Sequence, residues 1–136
     1  MTLLNRHIRA IMVLSGALTF TMVYAAVSPT AALESTFGES LQGPLAELIV
    51  RNWGILIAMV GLMLVHGAFS SETRRMALTV ATASKIAFIG LVFANGGQYL
   101  RYGAGTAVAV DTVMVIVFAS YLLSSVGTHR LRAAAL

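Results

Sequence analysis

The chain has 136 residues, of which 58 % are apolar and only 10 % are charged. A soluble domain has roughly 45–50 % apolar and about 25 % charged residues, and a chain this short cannot bury so much apolar surface by folding in water. The composition therefore predicts an integral membrane protein, and it excludes nucleic-acid binding although the net charge is +4. Because cysteine is absent, disulfides, thiolate metal sites and a cysteine nucleophile are excluded as well.

Four segments are long and apolar enough to cross a bilayer, which takes about 20 mostly apolar residues per helix. The predicted spans are residues 8–27, 45–69, 76–100 and 106–126. They leave no room for a domain outside the membrane. We therefore predict one integral domain over residues 1–136, an all-α membrane protein built as a four-helix transmembrane bundle. The first span also has the charged start and small-residue end of a signal peptide, and we expect it to be retained as the first helix.

The distribution of arginine predicts the orientation, because positive residues concentrate on the cytoplasmic side of a membrane protein. Six arginines lie in the two tails and the second connection: Arg6, Arg9, Arg74, Arg75, Arg130 and Arg132. On the opposite side, Arg101 stands alone in a loop and the first connection is acidic. We therefore expect a bacterial inner-membrane protein with both termini in the cytoplasm and with its first and third connections in the periplasm.

The first periplasmic connection is the longest and has the signals of a short helix. Ser28 and Pro29 favour a helix start, with the serine as N-cap, and Gly38 is typical of the position after a helix end. We predict a short interfacial helix over residues 30–37, whose apolar side chains dip into the membrane or cover the bundle. One interpretation is a lid that seals the end of the bundle, and the alternative is a loop with a function of its own.

Ionisable side chains inside the predicted spans need a reason, because each costs about 2.5–3.5 kcal/mol on insertion scales. Besides residues near the ends of the spans, there are three: Arg51, Lys85 and Asp111. With about 1.5 Å of rise per residue, Arg51 and Asp111 both lie roughly 8–9 Å below the periplasmic end, and we predict that they form an ion pair. Lys85 is roughly 10 Å deeper than Asp111. Three alternatives stay open for it: reaching the cytoplasmic surface, facing a cavity, or pairing with another subunit.

Polar residues concentrate in the periplasmic half of the predicted bundle. The candidate ligand-binding residues form an intramembrane polar cluster with the lysine beneath it: Arg51, Asn52, Lys85, Asn95, Gln98 and Asp111. Two interpretations stay open, a clamp in which buried charges and amides join the helices, and a polar site for a small molecule. The sequence contains no catalytic or metal-binding motif. We therefore assign no catalytic residue and no metal site, and a non-enzymatic role is favoured.

Small residues recur at heptad spacing in two of the spans, a pattern typical of close helix packing in membranes. In the third span these residues are Ala83, Ala87, Gly90, Ala94 and Gly97. In the second span a matching stripe contains Arg51, Gly54, Ala58 and Gly61. We predict that the stripe of the third span is a packing face and that the stripe of the second span meets the third span.

Three local features accompany the four-helix layout: Arg51-Asn52-Trp53-Gly54 in the second span, Ser84-Lys85 in the third and Val110-Asp111 in the fourth. Over nearly the whole chain, this layout resembles the DoxX-like group of small bacterial four-helix membrane proteins. The resemblance implies the four-helix fold. Some members of the group look like membrane subunits of quinone-linked oxidoreductases, and many have no assigned activity.

The small-residue faces and the missing catalytic constellation favour a non-enzymatic subunit or accessory component of a membrane assembly. Such a protein works with copies of itself or with a membrane partner subunit, and within the lipid bilayer. The first alternative is a binder or carrier of a lipophilic small molecule, a quinone or a lipid, at the polar cluster. The second alternative is a proton-coupled transporter. We predict no resident cofactor, apart from the quinone or lipid of the first alternative.

Overall fold

A computed structural model describes the backbone of residues 3–133 and the side chains of residues 7–124. The elements in chain order are α1 (Leu3–Phe20), a 3-10 turn (Thr21–Val23), α2 (Tyr24–Val27), α3 (Pro29–Phe37), α4 (Pro44–Phe69), α5 (Ser71–Ala94), a second 3-10 turn (Gln98–Arg101) and α6 (Gly103–Ala133). Four stretches are long and apolar enough to cross a membrane: His7–Val27, Pro44–Phe69, Ser71–Ala94 and Gly103–Ser124. The predicted all-α, four-helix fold of a multi-pass membrane protein is confirmed.

The orientation of the bundle in the membrane stays a prediction. Because the spans run alternately up and down, the described backbone begins and ends at one end of the bundle, called here the terminal end. The other end carries α3 and is called the α3 end. Three of the six arginines on which the predicted orientation depends, Arg6, Arg130 and Arg132, have side chains outside the described residues.

The four spans form a ring in which each packs against two neighbours. The first span packs against α4, α4 against α5, and α5 against α6. The ring closes between α6 and α1, and this is the smallest of the four helix–helix interfaces. Helices α4 and α6 therefore lie at diagonal corners. The main core fills the terminal half with Ile8, Met12, Leu64, Ala68, Ala77, Leu78, Ala81, Met114 and Phe118.

The small residues of α4 bring this helix close to the first span. A Cβ atom on Gly61 would lie 2.6 Å from the carbonyl oxygen of Gly16, and one on Gly54 would lie 2.8 Å from the Cβ of Ala25. Only glycine permits backbones to approach this closely. The stripe of α4 is thus the packing face that its spacing indicates. The expectation that it meets the third span is wrong, because its partner is the first span.

The small residues of α5 do not pack inside the bundle, so their predicted role as a packing face has no partner among the described residues. Ala83, Ala87, Gly90 and Ala94 are exposed, and a Cβ on Gly90 would meet nothing within 4 Å. The buried face of α5 consists instead of Ala77, Leu78, Ala81, Lys85 and Val92. Because α5 presents its lysine to the interior, the stripe of small residues on the other side faces outward.

Helix α5 begins five residues and ends six residues earlier than residues 76–100, the predicted third span. It stops at Ala94 because Gly96 and Gly97 have φ values of 83° and 67°, a left-handed conformation that ends an α-helix and that glycine adopts without strain. Helix α6 starts at Gly103, three residues before the predicted boundary. These shifts change the depths of the residues on both helices.

The short helix α3 forms where the sequence predicts it. It begins at Pro29, and Gly38 follows its end with a φ of 74°. Ser28 occupies the N-cap position, but its hydroxyl makes no capping hydrogen bond.

Helix α3 covers the end of the bundle. Its Leu33 is buried, and the ring of Phe37 lies 6.1 Å from that of Trp53 and 5.5 Å from that of Tyr99, measured between centroids. On its other side, α3 approaches α6 so closely that a Cβ on Gly103 would lie 2.7 Å from a carbonyl oxygen of α3. Of the two predicted placements, the structure therefore shows the cover over the bundle.

Candidate functional site

A buried ion pair joins α5 to α6. The Nζ atom of Lys85 donates a hydrogen bond to Oδ1 of Asp111 at 2.5 Å, and the two side chains are 8 % and 16 % exposed. The same Nζ donates to the hydroxyl oxygen of Thr19 at 3.3 Å, so the lysine also links α5 to the first span. Of the alternatives for Lys85, the structure shows the one in which it stays inside the bundle and faces a cavity, described below.

The observed helix boundaries explain why this pair forms. Lys85 lies nine residues before the last residue of α5, and Asp111 lies eight residues after the first residue of α6. At about 1.5 Å per residue, both lie about 12–14 Å from the α3 end of their helices. The predicted offset of roughly 10 Å arose because the predicted spans end α5 six residues too late and start α6 three residues too late. Thr19 is eight residues before the end of the first span at Val27, so the same count places it at this depth.

The predicted ion pair between Arg51 and Asp111 is wrong. The guanidinium of Arg51 donates to the carbonyl oxygens of Ala26 and Val27, and it lies 3.5 Å from the carboxylate of Glu47 one turn earlier on α4. The depths of Arg51 and Asp111 do agree, but α4 and α6 occupy diagonal corners. Arg51 therefore faces the first span, where it satisfies carbonyl groups that the end of α2 leaves without helical partners.

The three amides of the predicted polar cluster do not reach the ion pair. Asn52, Asn95 and Gln98 are exposed, and the side chain of Asn95 donates to the carbonyl oxygen of Leu91 at 2.8 Å. Gln98 lies in the second 3-10 turn, beyond the end of α5. Of the six predicted residues, the structure brings together only Lys85 and Asp111.

A cavity of about 460 Å³ lies between the spans in the half of the bundle that carries α3. This central cavity has the ion pair in its wall. Its apolar lining consists of Leu18, Met22, Trp53, Ile57, Phe88, Gly103, Ala107, Val110 and Met114, and its hydroxyl groups come from Thr19, Thr21, Thr36, Ser84 and Thr106. This is the size and composition typical of small-molecule sites, mostly apolar with a few polar groups that fix orientation.

The central cavity opens between the first span and α6. Five of its lining residues are exposed: Leu18, Thr21, Ser84, Gly103 and Thr106. Four of these belong to the first span and α6, which share the smallest helix–helix interface in the ring. Thr36 of α3 also lines the cavity. The site therefore has a roof at the α3 end and a lateral mouth between two helices.

A second, smaller cavity of about 290 Å³ lies between α3, α4 and α5. Phe37, Val50, Leu91 and Tyr99 are among its lining residues, and Asn95 supplies an amide. Two large aromatic side chains, Trp53 and Phe88, line both cavities. They form the wall that separates the central cavity from the second one.

No sequence signal indicates the cavities, because their volume depends on how far the helices separate at the α3 end. The place of Thr19 beside the ion pair was predictable from the sequence, because it lies eight residues before the end of the first span at Val27, at the depth of Lys85 and Asp111. Within the part of the chain that the structure describes, no three His, Cys, Asp or Glu side chains group as metal ligands.

Comparison of the chain with known protein families, with characterised proteins and with solved structures finds no match. The resemblance to the DoxX-like group therefore stays a prediction. The fold and the site define the class of protein: a multi-pass helical membrane protein with a buried ion pair beside a cavity between its spans.

Proposed function

We propose that this chain binds or carries a lipophilic small molecule, a quinone or a lipid, in its central cavity. The observation that carries the proposal is the buried pair of Lys85 and Asp111 in the wall of a cavity of about 460 Å³. Charged groups inside a bilayer are costly and typically mark a pathway or a binding site. An apolar chamber with one polar point in its wall matches an amphiphile with one polar head.

The surroundings of the ion pair favour this function over a purely structural clamp. Replacing a buried ion pair with apolar residues is often neutral or stabilising, so joining the helices does not by itself require these charges. The main core fills the terminal half, whereas the charges border the central cavity. The contact between α5 and α6 also extends well beyond the pair.

The proposed location is the bacterial inner membrane, with both termini in the cytoplasm and α3 on the periplasmic side. In this orientation α3 roofs the cavity toward the periplasm. The mouth between the first span and α6 then faces the outer leaflet, so a ligand dissolved in the bilayer reaches the cavity sideways. This route suits a molecule with a long apolar tail, which can remain partly in lipid.

Native mass spectrometry of the protein, extracted gently from its own membranes, tests the proposal. We expect a discrete extra mass on the chain. Ala107→Trp fills the cavity and removes that mass, whereas the matched Ala109→Trp, two residues later on the exposed face of α6, retains it. An unmodified chain mass in every preparation, or equal retention by the two variants, contradicts the proposal.

The second candidate function is a subunit or accessory component of a membrane assembly. The exposed stripe of Ala83, Ala87, Gly90 and Ala94 on α5 favours it, because small residues let another helix approach closely. Crosslinking in native membranes should then give a discrete assembly that Gly90→Leu disrupts and Leu91→Ala, at an exposed neighbouring position, preserves. A chain that remains monomeric in native membranes counts against this candidate.

A further inference from the structure

We infer that the central cavity selects an uncharged head group, so that its ligand is a neutral lipophilic molecule with a carbonyl or hydroxyl oxygen. The inference rests on the proposed function, because it requires a ligand in this cavity. It adds the chemical class of the head and the atoms that recognise it. The ester region of a lipid and the ring oxygens of a quinone share this chemistry.

The charge balance of the cavity is the first support. Lys85 and Asp111 are the ionisable residues in its lining, one cation and one anion in direct contact. Their charges cancel, so the site has no net charge to offer a ligand. An anionic head that accepts a hydrogen bond from Lys85 would also lie beside the carboxylate of Asp111, and a pair without net charge does not compensate the cost of taking the charge of the head out of water. A cationic head beside Asp111 would meet the ammonium of Lys85 in the same way.

The unused hydrogen-bonding groups of the pair are the second support. An ammonium has three N–H donors, and Lys85 gives one to Asp111 and one to Thr19. One donor remains for an acceptor in the cavity. Asp111 uses Oδ1 for the lysine, and its Oδ2 has no hydrogen-bond partner among the residues that the structure describes. The pair therefore offers one donor to a carbonyl oxygen and one acceptor to a hydroxyl group.

The remaining lining is consistent with a neutral amphiphile. Around the ion pair, the lining consists of apolar side chains and hydroxyl groups. The hydroxyl groups can solvate a polar head without adding charge, and the apolar surface suits a hydrocarbon tail. A neutral head that uses the free donor loses little hydration, whereas a charged head loses its hydration beside a pair that has no net charge to replace it.

Trp53 provides the readout, because it is the only tryptophan of the chain and it lines the cavity. The full chain in lipid nanodiscs is titrated with three probes of equal tail length: dodecyl methyl ketone, dodecyl sulfonate and dodecyl trimethylammonium. Binding is followed by the fluorescence of Trp53 and confirmed by native mass spectrometry. We expect the ketone to bind about tenfold more tightly than either ion, because the pair does not compensate the desolvation of a charged head.

Two variants separate charge recognition from general affinity for apolar tails. Asp111→Asn leaves Lys85 without its counter-ion and should shift the preference of the site to the sulfonate. The double variant Lys85→Met with Asp111→Leu removes both charges and keeps an apolar filling, so it should fold and bind the ketone no better than dodecane. The double variant keeps the test decisive if Asp111→Asn does not fold.

The outcomes distinguish this inference from the proposed function. If a charged probe binds the wild-type chain as tightly as the ketone, or if the double variant keeps the preference for the ketone, the inference is overturned while ligand binding stands. If no probe changes the Trp53 fluorescence and no extra mass accompanies the native protein, the proposed function fails together with the inference.

Discussion

Lys85 and Asp111 lie 26 residues apart in the sequence but at the same depth on neighbouring helices, and their side chains meet at 2.5 Å. Lys85 lies nine residues before the end of α5, and Asp111 lies eight residues after the start of α6. Because the two helices run in opposite directions from one short connection, these nearly equal distances place the two residues at the same depth. The pair stands between the main packed core of the bundle and the central cavity. Its effects on stability and on binding can therefore be measured separately.

The single variant Lys85→Met should destabilise the bundle more than the double variant with Asp111→Leu. Removing one partner leaves an uncompensated charge in a setting where both side chains are largely buried. Breaking such a pair costs about 3–5 kcal/mol, whereas replacing both partners is often neutral. Unfolding in a detergent titration gives the free energies of the wild type, both single variants and the double variant. A double variant that is no more stable than Lys85→Met would contradict this expectation.

Gly61→Ala and Gly90→Ala should have opposite effects on stability, although both place a methyl group on a long helix. The added Cβ at position 61 would lie 2.6 Å from a carbonyl oxygen of α1, whereas at position 90 it meets nothing within 4 Å. Overpacking costs about 1–3 kcal/mol, and relieving the low helix propensity of glycine gains up to about 1 kcal/mol. Thermal unfolding in one detergent compares the pair directly. Equal midpoints for the two variants would contradict the close packing of α4 on α1.

Arg51 should matter to stability through its carbonyl contacts and little through its carboxylate. The pair of Arg51 and Glu47 is exposed, with side chains 43 % and 49 % accessible, and such pairs contribute about 0–1 kcal/mol. Arg51→Met removes the donors to Ala26 and Val27 and should cost about 1 kcal/mol. Glu47→Gln serves as the control and should change the free energy of unfolding by less than about 0.5 kcal/mol. A larger loss for Glu47→Gln than for Arg51→Met would reverse this assignment.

Hydropathy predicts the spans well and the site only in part, and the reasons are physical. The predicted second span matches α4 to within one residue at its start, because length and apolar content alone define a span. The end of α5 was missed because Tyr99 and Leu100 extend the apolar pattern beyond two glycines whose left-handed backbone ends the helix. The partner of Asp111 was missed because the predicted boundaries of α5 and α6 placed Lys85 too deep, and because depth alone does not reveal that α4 and α6 lie at diagonal corners.

The absence of cysteine from the sequence gives a clean background for testing the orientation. Glu39→Cys places a thiol in the connection after α3, and Glu72→Cys places one in the first turn of α5 at the terminal end; both positions are exposed. A membrane-impermeant maleimide applied to intact cells should label position 39 and should reach position 72 only after the membrane is permeabilised. The reverse pattern would place both termini outside the cytoplasm and would overturn the orientation inferred from the arginines.

Narrowing the lateral mouth should slow ligand exchange without weakening equilibrium binding. Thr106 lines the central cavity at its exposed edge on α6, away from the ion pair, so Thr106→Phe adds bulk where a ligand passes and not where its head rests. The rates of association and dissociation of dodecyl methyl ketone, followed by the fluorescence of Trp53 in nanodiscs, should fall together and leave the dissociation constant nearly unchanged. Val113→Phe, on the exposed outer face of the same helix, should leave both rates as in the wild type. If Thr106→Phe leaves both rates unchanged, the ligand does not pass between the first span and α6, and access past α3 or through the wall of Trp53 and Phe88 becomes the route to test.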